Sequence, residues 1–144
     1  MKALIILFVA LLPLQWGTDF EAAKKTAKEK HRIILLNFSG SDWCAQCIQT
    51  KKEYFGNDVF ISMANDNLVL VNADFPRRKK NQLSEAQTKQ NEALAERYNK
   101  EGNFPYTLLL DADGKVLKSW KGKPEKSVES WVAEVKSVCE SYKR

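Results

Sequence analysis

Cys44 and Cys47 stand three positions apart in "SDWCAQCIQT", residues 41–50, just after an apolar run. Two thiols at that spacing can hold a metal ion, staple the chain, or pass electrons as a dithiol. A structural zinc site takes four ligands, often in two close pairs. The chain has three cysteines and a single histidine, His31, so no second pair exists. Ile48 follows Cys47, which removes the CxxCH pattern of c-type haem attachment. A staple across so short a loop constrains the unfolded chain little. The redox reading fits the position of the pair, at the start of an expected helix. Helix N-termini carry unpaired N–H groups and a partial positive charge. These favour a thiolate and bring a Cys pKa to ~3.5–7.5 in such motifs. A thiolate attacks a disulfide sulfur and forms a mixed disulfide. A second Cys one turn further in then resolves it. Cys44 is the expected nucleophile and Cys47 the expected resolving thiol. No cofactor and no resident metal is expected. Two rival readings stay open: a binding module without turnover, and a metal chaperone holding a soft ion on Cys44 and Cys47.

The flanking segments supply the elements that must position the pair. "RIILLNFSG" contains Ile33 to Leu36, a continuous apolar run that suits a strand buried on both faces. Gly40 and Ser41 end it, and a helix is expected from the cysteines through Lys52. "NLVLVNAD", residues 67–74, gives a second buried strand over 68–74. Before the first strand, Thr18 and Glu21 form a capping-box pattern, and Phe20, Ala23 and Ala27 a narrow apolar stripe. Asp58 can cap a short helix over "VFISMAN". "LSEAQTKQNEALAERYN" is helical, with no Gly or Pro inside. "EGNFPYTLLLDADGKVLKSW" reads as a hairpin turning at "DADG". The last helix is amphipathic, with Val128, Trp131, Val132, Val135 and Val138 inward. Buried strands separated by helices imply parallel pairing, and the hairpin adds antiparallel strands. The expected architecture is a three-layer mixed α/β domain.

At 144 residues the chain is one domain with a real core. Its net charge of +5 is mild and scattered. Nucleic-acid binders show a clustered basic surface or a known motif. Only "RRKK", Arg77 to Lys80, is clustered, so no nucleic-acid partner is expected. That cluster follows a parallel strand, on the side of the sheet where the cysteines lie and where open α/β sheets bind ligands. It reads either as a solvated loop or as a steering element for an acidic partner. At the N-terminus, "MKALIILFVALLPLQWG" has one Lys, an apolar run from Ala3 to Leu12, and then Pro13. A bilayer span takes ~20 residues, so the run suits a secretory leader. The reading is a leader over residues 1–16, cut between Pro13 and Gly17, and a domain over 17–144. A buried first strand and an uncleaved anchor are the alternatives, and membrane attachment is expected only in the second. Export places the cysteines where disulfides persist. If Cys44 and Cys47 pair, Cys139 is left free, and on the last helix it reads as a small buried hydrophobe.

Trp43, Cys44 and Cys47 in "NFSGSDWCAQC" resemble the active-site segment of the thioredoxin superfamily. "NFPYTLLLDADGKVL" resembles its second hallmark, a cis-proline loop leading into a hairpin. The resemblance covers about residues 15–142 and points to exported bacterial thioredoxin-like proteins with "NFSGSDWC" and "DFPRRKK" segments. It implies a thioredoxin-like α/β/α fold with a mixed central sheet. It implies a monomeric thiol–disulfide oxidoreductase whose Cys44 and Cys47 close as a redox disulfide. The partners implied are extracytoplasmic protein thiols and disulfides, handled as reductant or isomerase. Trp43, Phe104 and Pro105 are implied in substrate binding, with the Phe104–Pro105 bond cis. Two departures count. Ala45-Gln46 stands between the cysteines instead of Gly-Pro, which leaves the potential open. Asn37 stands near where ordinary thioredoxins bury an acid, and Asn takes no proton. Asp42 is close in sequence, but its charge opposes a nearby thiolate. Trp16 and Trp131 read as core, and His31 as a solvated helix-end charge.

Overall fold

The computed structural model describes residues 12–143. Five strands form one sheet: β1 (Trp16–Gly17), β2 (Ile33–Ser39), β3 (Leu68–Asp74), β4 (Tyr106–Leu110) and β5 (Val116–Lys121). Their order is β1-β3-β2-β4-β5. β1, β3 and β2 run parallel, while β4 and β5 are antiparallel to their neighbours. The helices are α1 (Phe20–Lys30), α2 (Ala45–Thr50), α3 (Asp58–Asn67), α4 (Glu85–Tyr98) and α5 (Val128–Tyr142). A π-helical turn, Lys51–Phe55, extends α2. The expected mixed α/β order is therefore present, as is the hairpin, whose turn places Gly114 at φ 88°.

Period-two alternation along the strands sorts the core onto the two sheet faces. Ile34, Leu36 and Phe38 of β2 pack with Phe20, Ala23 and Ala27 of α1 and Leu94 of α4. Ile33 and Leu35 pack on the other face with Phe60 and Met63 of α3 and Trp131, Val132 and Val135 of α5. Trp131 is fully buried and stacks on Phe60 at 5.6 Å. Each such large side chain contributes about 1.5–3 kcal/mol by burial alone. The widened turn after α2 brings Tyr54 and Phe55 into this second core. The Tyr54 hydroxyl reaches the Pro124 and Lys126 carbonyls, which ties the end of the turn to the loop before α5.

The structure corrects the two caps nearest the strands. α1 is capped by Asp19, whose carboxylate accepts from the Ala22 N–H at 3.0 Å, in place of Thr18. The chain is still in β1 at Trp16–Gly17 and turns one residue later than the Thr-x-x-Glu pattern implies. α3 is capped by Asn57, which accepts from the Val59 N–H, and Asp58 becomes its first residue. Asp58 there meets the positive end of the helix dipole directly. Trp16 is only partly core. It packs on Phe55 at 5.1 Å and pairs with Leu70 in β1. His31 is exposed at the end of α1, in left-handed backbone with φ 53°. The leader reading falls mainly on residues outside the described range. Within that range, the Leu12 carbonyl accepts from Asn65 Nδ2, and Leu14 packs on the core.

Cys139 is free and buried on α5, and burial pushes its thiol up to about 11. A thiol reagent at pH 8 is therefore expected to find no reactive thiol in the folded, oxidised protein. After unfolding in guanidinium it should find one, from Cys139. A thiol that reacts at full speed before unfolding contradicts this packing.

Candidate functional site

Parallel pairing of β2 with β3 runs in register to Ser39 opposite Asp74. Both chains therefore leave the sheet at the same height, and the two following loops meet. The Asp74 carboxylate accepts from the Ser41 N–H at 3.0 Å and from the Ser41 hydroxyl at 2.6 Å. The Phe75 N–H donates to the Ser39 carbonyl at 2.8 Å. Asp42 closes a second tie. Its carboxylate accepts from the Arg77 N–H at 3.0 Å, the Arg78 N–H at 2.9 Å and Asn81 Nδ2 at 3.0 Å. These donors hold the Asp42 carboxyl down at about 2. Its charge is thus turned to the basic loop, which bears on the expected conflict with a thiolate.

Trp43 makes the third tie. Its indole N–H donates to the Phe75 carbonyl at 2.7 Å, and the Arg77 guanidinium lies 3.7 Å above the ring. Gly40 makes room for this indole, since a Cβ at that position would sit 2.3 Å from a ring atom. The Phe104 ring meets Trp43 edge-on at 5.4 Å and Phe75 at 5.5 Å. The Phe104–Pro105 bond is cis. The loop before it is held by Asn99, which exchanges two hydrogen bonds with the Asn103 backbone. The cis-proline loop and the cysteine loop, some sixty residues apart in sequence, therefore face each other through aromatic rings.

Cys44 is the N-cap of α2. Its sulfur accepts from the Cys47 N–H at 3.2 Å and is bonded to the Cys47 sulfur. The Cys47 sulfur in turn accepts from the Gly40 N–H at 3.5 Å. Beneath Cys47 lies a cleft of about 320 Å³, walled by Trp16, Ile48, Lys51 and Phe55. Its floor is Asn37, Ser39 and Asn72, and from Asn37 the polar row continues across the sheet behind the cleft. Asn37 is paired with Asn72 on β3 and Thr107 on β4. Asn37 Nδ2 donates to Asn72 Oδ1 at 3.1 Å, and Thr107 Oγ1 donates to Asn37 Oδ1 at 3.2 Å. Both ends of the Asn37 amide are thereby satisfied without a charge, so the floor offers Cys47 hydrogen-bonding dipoles and no ionisable base. Among the described residues no group of three His, Cys, Asp or Glu side chains is placed to hold a metal.

The structure thus brings Trp43, Cys44, Cys47, Phe104 and Pro105 into one region. Sequence reasoning missed Phe75, Asn72, Thr107 and Trp16. Asn72 and Thr107 were accessible in principle, because each lies an even number of positions from a residue facing the same core. Phe75, Asp42 and Arg77 carried no such signal, since their contacts cross 32 to 36 positions of chain.

The chain matches the model of the thioredoxin-like domain over residues 20–136. It is 35% identical over 130 residues to a disulfide bond reductase, DsbH, of Chlamydia pneumoniae, covering 90% of this chain and 75% of that one. It is 30% identical over 102 residues to a thioredoxin-related protein, DsbJ, of the same organism, covering 71% of this chain and 28% of that one. The solved structure of a DsbH oxidoreductase superposes with a TM-score of 0.82 at 31% identity, covering 97% and 94% of the two chains. A Thermus thermophilus thioredoxin shares the fold, with a TM-score of 0.65 at 16% identity over 89% and 88%.

The Asp42 tie has a pH signature. Its folded pKa, about 2, lies below the ordinary 3.8. The clamp is therefore fully present above pH ~4 and is lost as pH falls through about 2. Solvent screens this exposed carboxylate, so the expected effect is local. Carboxyl NMR should titrate Asp42 near 2, with the Arg77 and Arg78 amides shifting in step. Asp42→Asn should speed amide exchange at both positions. An Asp42 titration near 4 with unmoved amides contradicts the clamp.

Proposed function

The chain belongs to the thioredoxin-like domain family and is a thiol–disulfide oxidoreductase, and from that premise we propose that it reduces protein disulfides outside the cytoplasm, with Cys44 attacking and Cys47 resolving. The observation that carries this reading is the cap of α2. The Cys47 N–H already points at the Cys44 sulfur, where negative charge must rest in the reduced enzyme. In the proposed cycle the Cys44 thiolate attacks one sulfur of a substrate disulfide. That S–S bond breaks, the departing substrate sulfur takes up a proton, and a mixed disulfide remains on Cys44. Cys47 loses its proton to solvent or to a departing thiolate and attacks the Cys44 sulfur. The second substrate thiol leaves, and the Cys44–Cys47 disulfide forms. Two electrons have passed to the substrate, and an external dithiol donor must return them.

The direction of transfer rests on two supports. One is the likeness to a protein named as a disulfide bond reductase. The other is electrostatic. Strong oxidants of this kind owe their power to a heavily stabilised thiolate. Here the hydrogen bond to the Cys44 sulfur comes from a single backbone amide, and no cationic side chain among the described residues makes one. Trp43, Phe104 and Pro105 are proposed to receive the extended substrate segment, with Ile48, half exposed beside Cys47, completing an apolar rim. Thr107 and Asn72 keep the Asn37 amide oriented below it. We place the leader cut inside the Pro13–Gly17 window and before Trp16, because Trp16 walls the cleft.

An insulin-reduction assay with a dithiol donor tests the reading. The wild-type chain should turn over, and Cys44→Ser should be inactive. Cys47→Ser should accumulate a mixed disulfide with substrate, visible on non-reducing gels. Absence of thiol-dependent turnover, or faster alkylation of Cys47 than Cys44 at mildly acidic pH, contradicts the assignment. One soft metal ion per purified chain would favour the chaperone alternative.

A further inference from the structure

The basic segment Arg77, Arg78, Lys79 and Lys80 is exposed on all four side chains. Its backbone is nevertheless fixed. Asp42 holds the first two amides, a 3-10 turn over Lys79–Asn81 follows, and Gln82 reaches back to the Pro76 and Arg78 carbonyls. Among the described residues none of the four cations enters an ion pair. The nearby carboxylates are already committed elsewhere. Asp42 spends its oxygens on backbone N–H groups and Asn81, and Asp74 spends its own on Ser41 and the Phe75 N–H. A charge run that only keeps a surface soluble has no need of a braced backbone. This one is fastened to the residue two before Cys44, and its first guanidinium lies on the Trp43 ring.

We propose that Arg78, Lys79 and Lys80, carried on the loop that Asp42 fastens beside Cys44, recognise acidic polypeptide, so that the enzyme prefers disulfides flanked by Asp and Glu. The proposal deepens the reductase reading and rests on it. Cations held in no ion pair attract carboxylates without first breaking internal pairs, and the braced backbone that carries them loses little order on binding. Their position selects a polypeptide over an anionic membrane surface. Whatever the loop captures lies against Trp43 and the cysteine loop, where a lipid headgroup would cover the sulfur and offer it nothing to reduce. Arg77 is set apart as a positioning residue, because its stacking braces Trp43.

The test uses two synthetic peptides with the same disulfide loop, one flanked by glutamates and the other by lysines. The wild-type chain should reduce the acidic peptide with a kcat/KM about tenfold higher at low salt, within the usual range of electrostatic steering. The preference should shrink as ionic strength passes ~0.15 M, where screening sets in at about 8 Å. Combining Arg78→Gln, Lys79→Gln and Lys80→Gln should bring the two peptides close to parity. A charge-matched control, Lys25→Gln with Lys30→Gln and Lys136→Gln on α1 and α5, should keep the preference. Equal rates for the two peptides with wild type, a preference that survives in the loop variant, or an equal loss in the control overturns the proposal. Loop-dependent cosedimentation with phosphatidylserine vesicles, without any peptide preference, also overturns it and assigns the loop to a membrane surface. Reduction of a small neutral disulfide by the wild-type chain reports separately on the reductase reading. If that rate is present and the peptide preference is absent, only the loop proposal falls.

Discussion

The pairing of Ser39 with Asp74 at the end of the parallel β2–β3 ladder is the constraint from which the site follows. Strands in register to their last residues release their loops side by side. Neither loop carries a core of its own, so each is shaped by polar ties to the other. Asp74 reaches across to Ser41, Asp42 reaches back to Arg77 and Arg78, and the Trp43 indole spans to the Phe75 carbonyl. A one-residue slip in this register would turn Asn37 to the opposite face of the sheet and undo all three ties. The cysteine loop and the basic loop are therefore one rigid body, built from segments more than thirty positions apart.

The same alternation sets the electrostatics below the sulfurs. On the face that carries α2, apolar residues of β2 give way to Asn37 and Ser39 as the strand nears its end, and β3 does the same at Asn72. The outcome is a neutral polar row, buried at Asn37 and Thr107 and half-buried at Asn72, that holds both ends of the Asn37 amide. Burying an ionisable group there would cost several kcal/mol unless it were paired. A neutral row avoids that cost but, among the described residues, places no ionisable side chain in the floor beneath Cys47, so in the proposed cycle its proton goes to solvent or to the departing thiolate. The charged groups of the site stand on the surface instead, where Asp42 holds the backbone of the basic loop, Arg77 lies on the Trp43 ring, and Arg78, Lys79 and Lys80 enter no ion pair among the described residues.

Much of this was legible in the chain itself. The apolar runs at Ile33–Leu36 and Leu68–Val71 announce buried strands, and the cysteines immediately after the first run fall at a helix start, because parallel strands require a crossover. The stripes of α1 and α5 are periodic and long enough to read, and Trp131 is as buried as its position implied. Other features had no local signature. β1 is two residues long, too short for any period to register. Its presence delays the start of α1, so Asp19 takes the cap that Thr18 is spaced to provide. Asp42 resembles an unwelcome charge beside a nucleophile until the basic loop arrives to accept it. Arg77 resembles a solvated cation until the Trp43 ring is found beneath it. In each case the deciding partner lies across the sheet, where spacing along the chain carries no information.

Electron donation by the Cys44–Cys47 couple is tested most directly by its reduction potential. Its midpoint potential can be read by equilibration in glutathione or dithiothreitol buffers at pH 7, with the dithiol and disulfide forms separated after alkylation. With a backbone amide hydrogen-bonded to the Cys44 sulfur and no cationic side chain among the described residues doing so, the potential should fall in the reducing range, about −270 mV and below about −220 mV. A potential close to about −120 mV, in the range of strong dithiol oxidants, would contradict it.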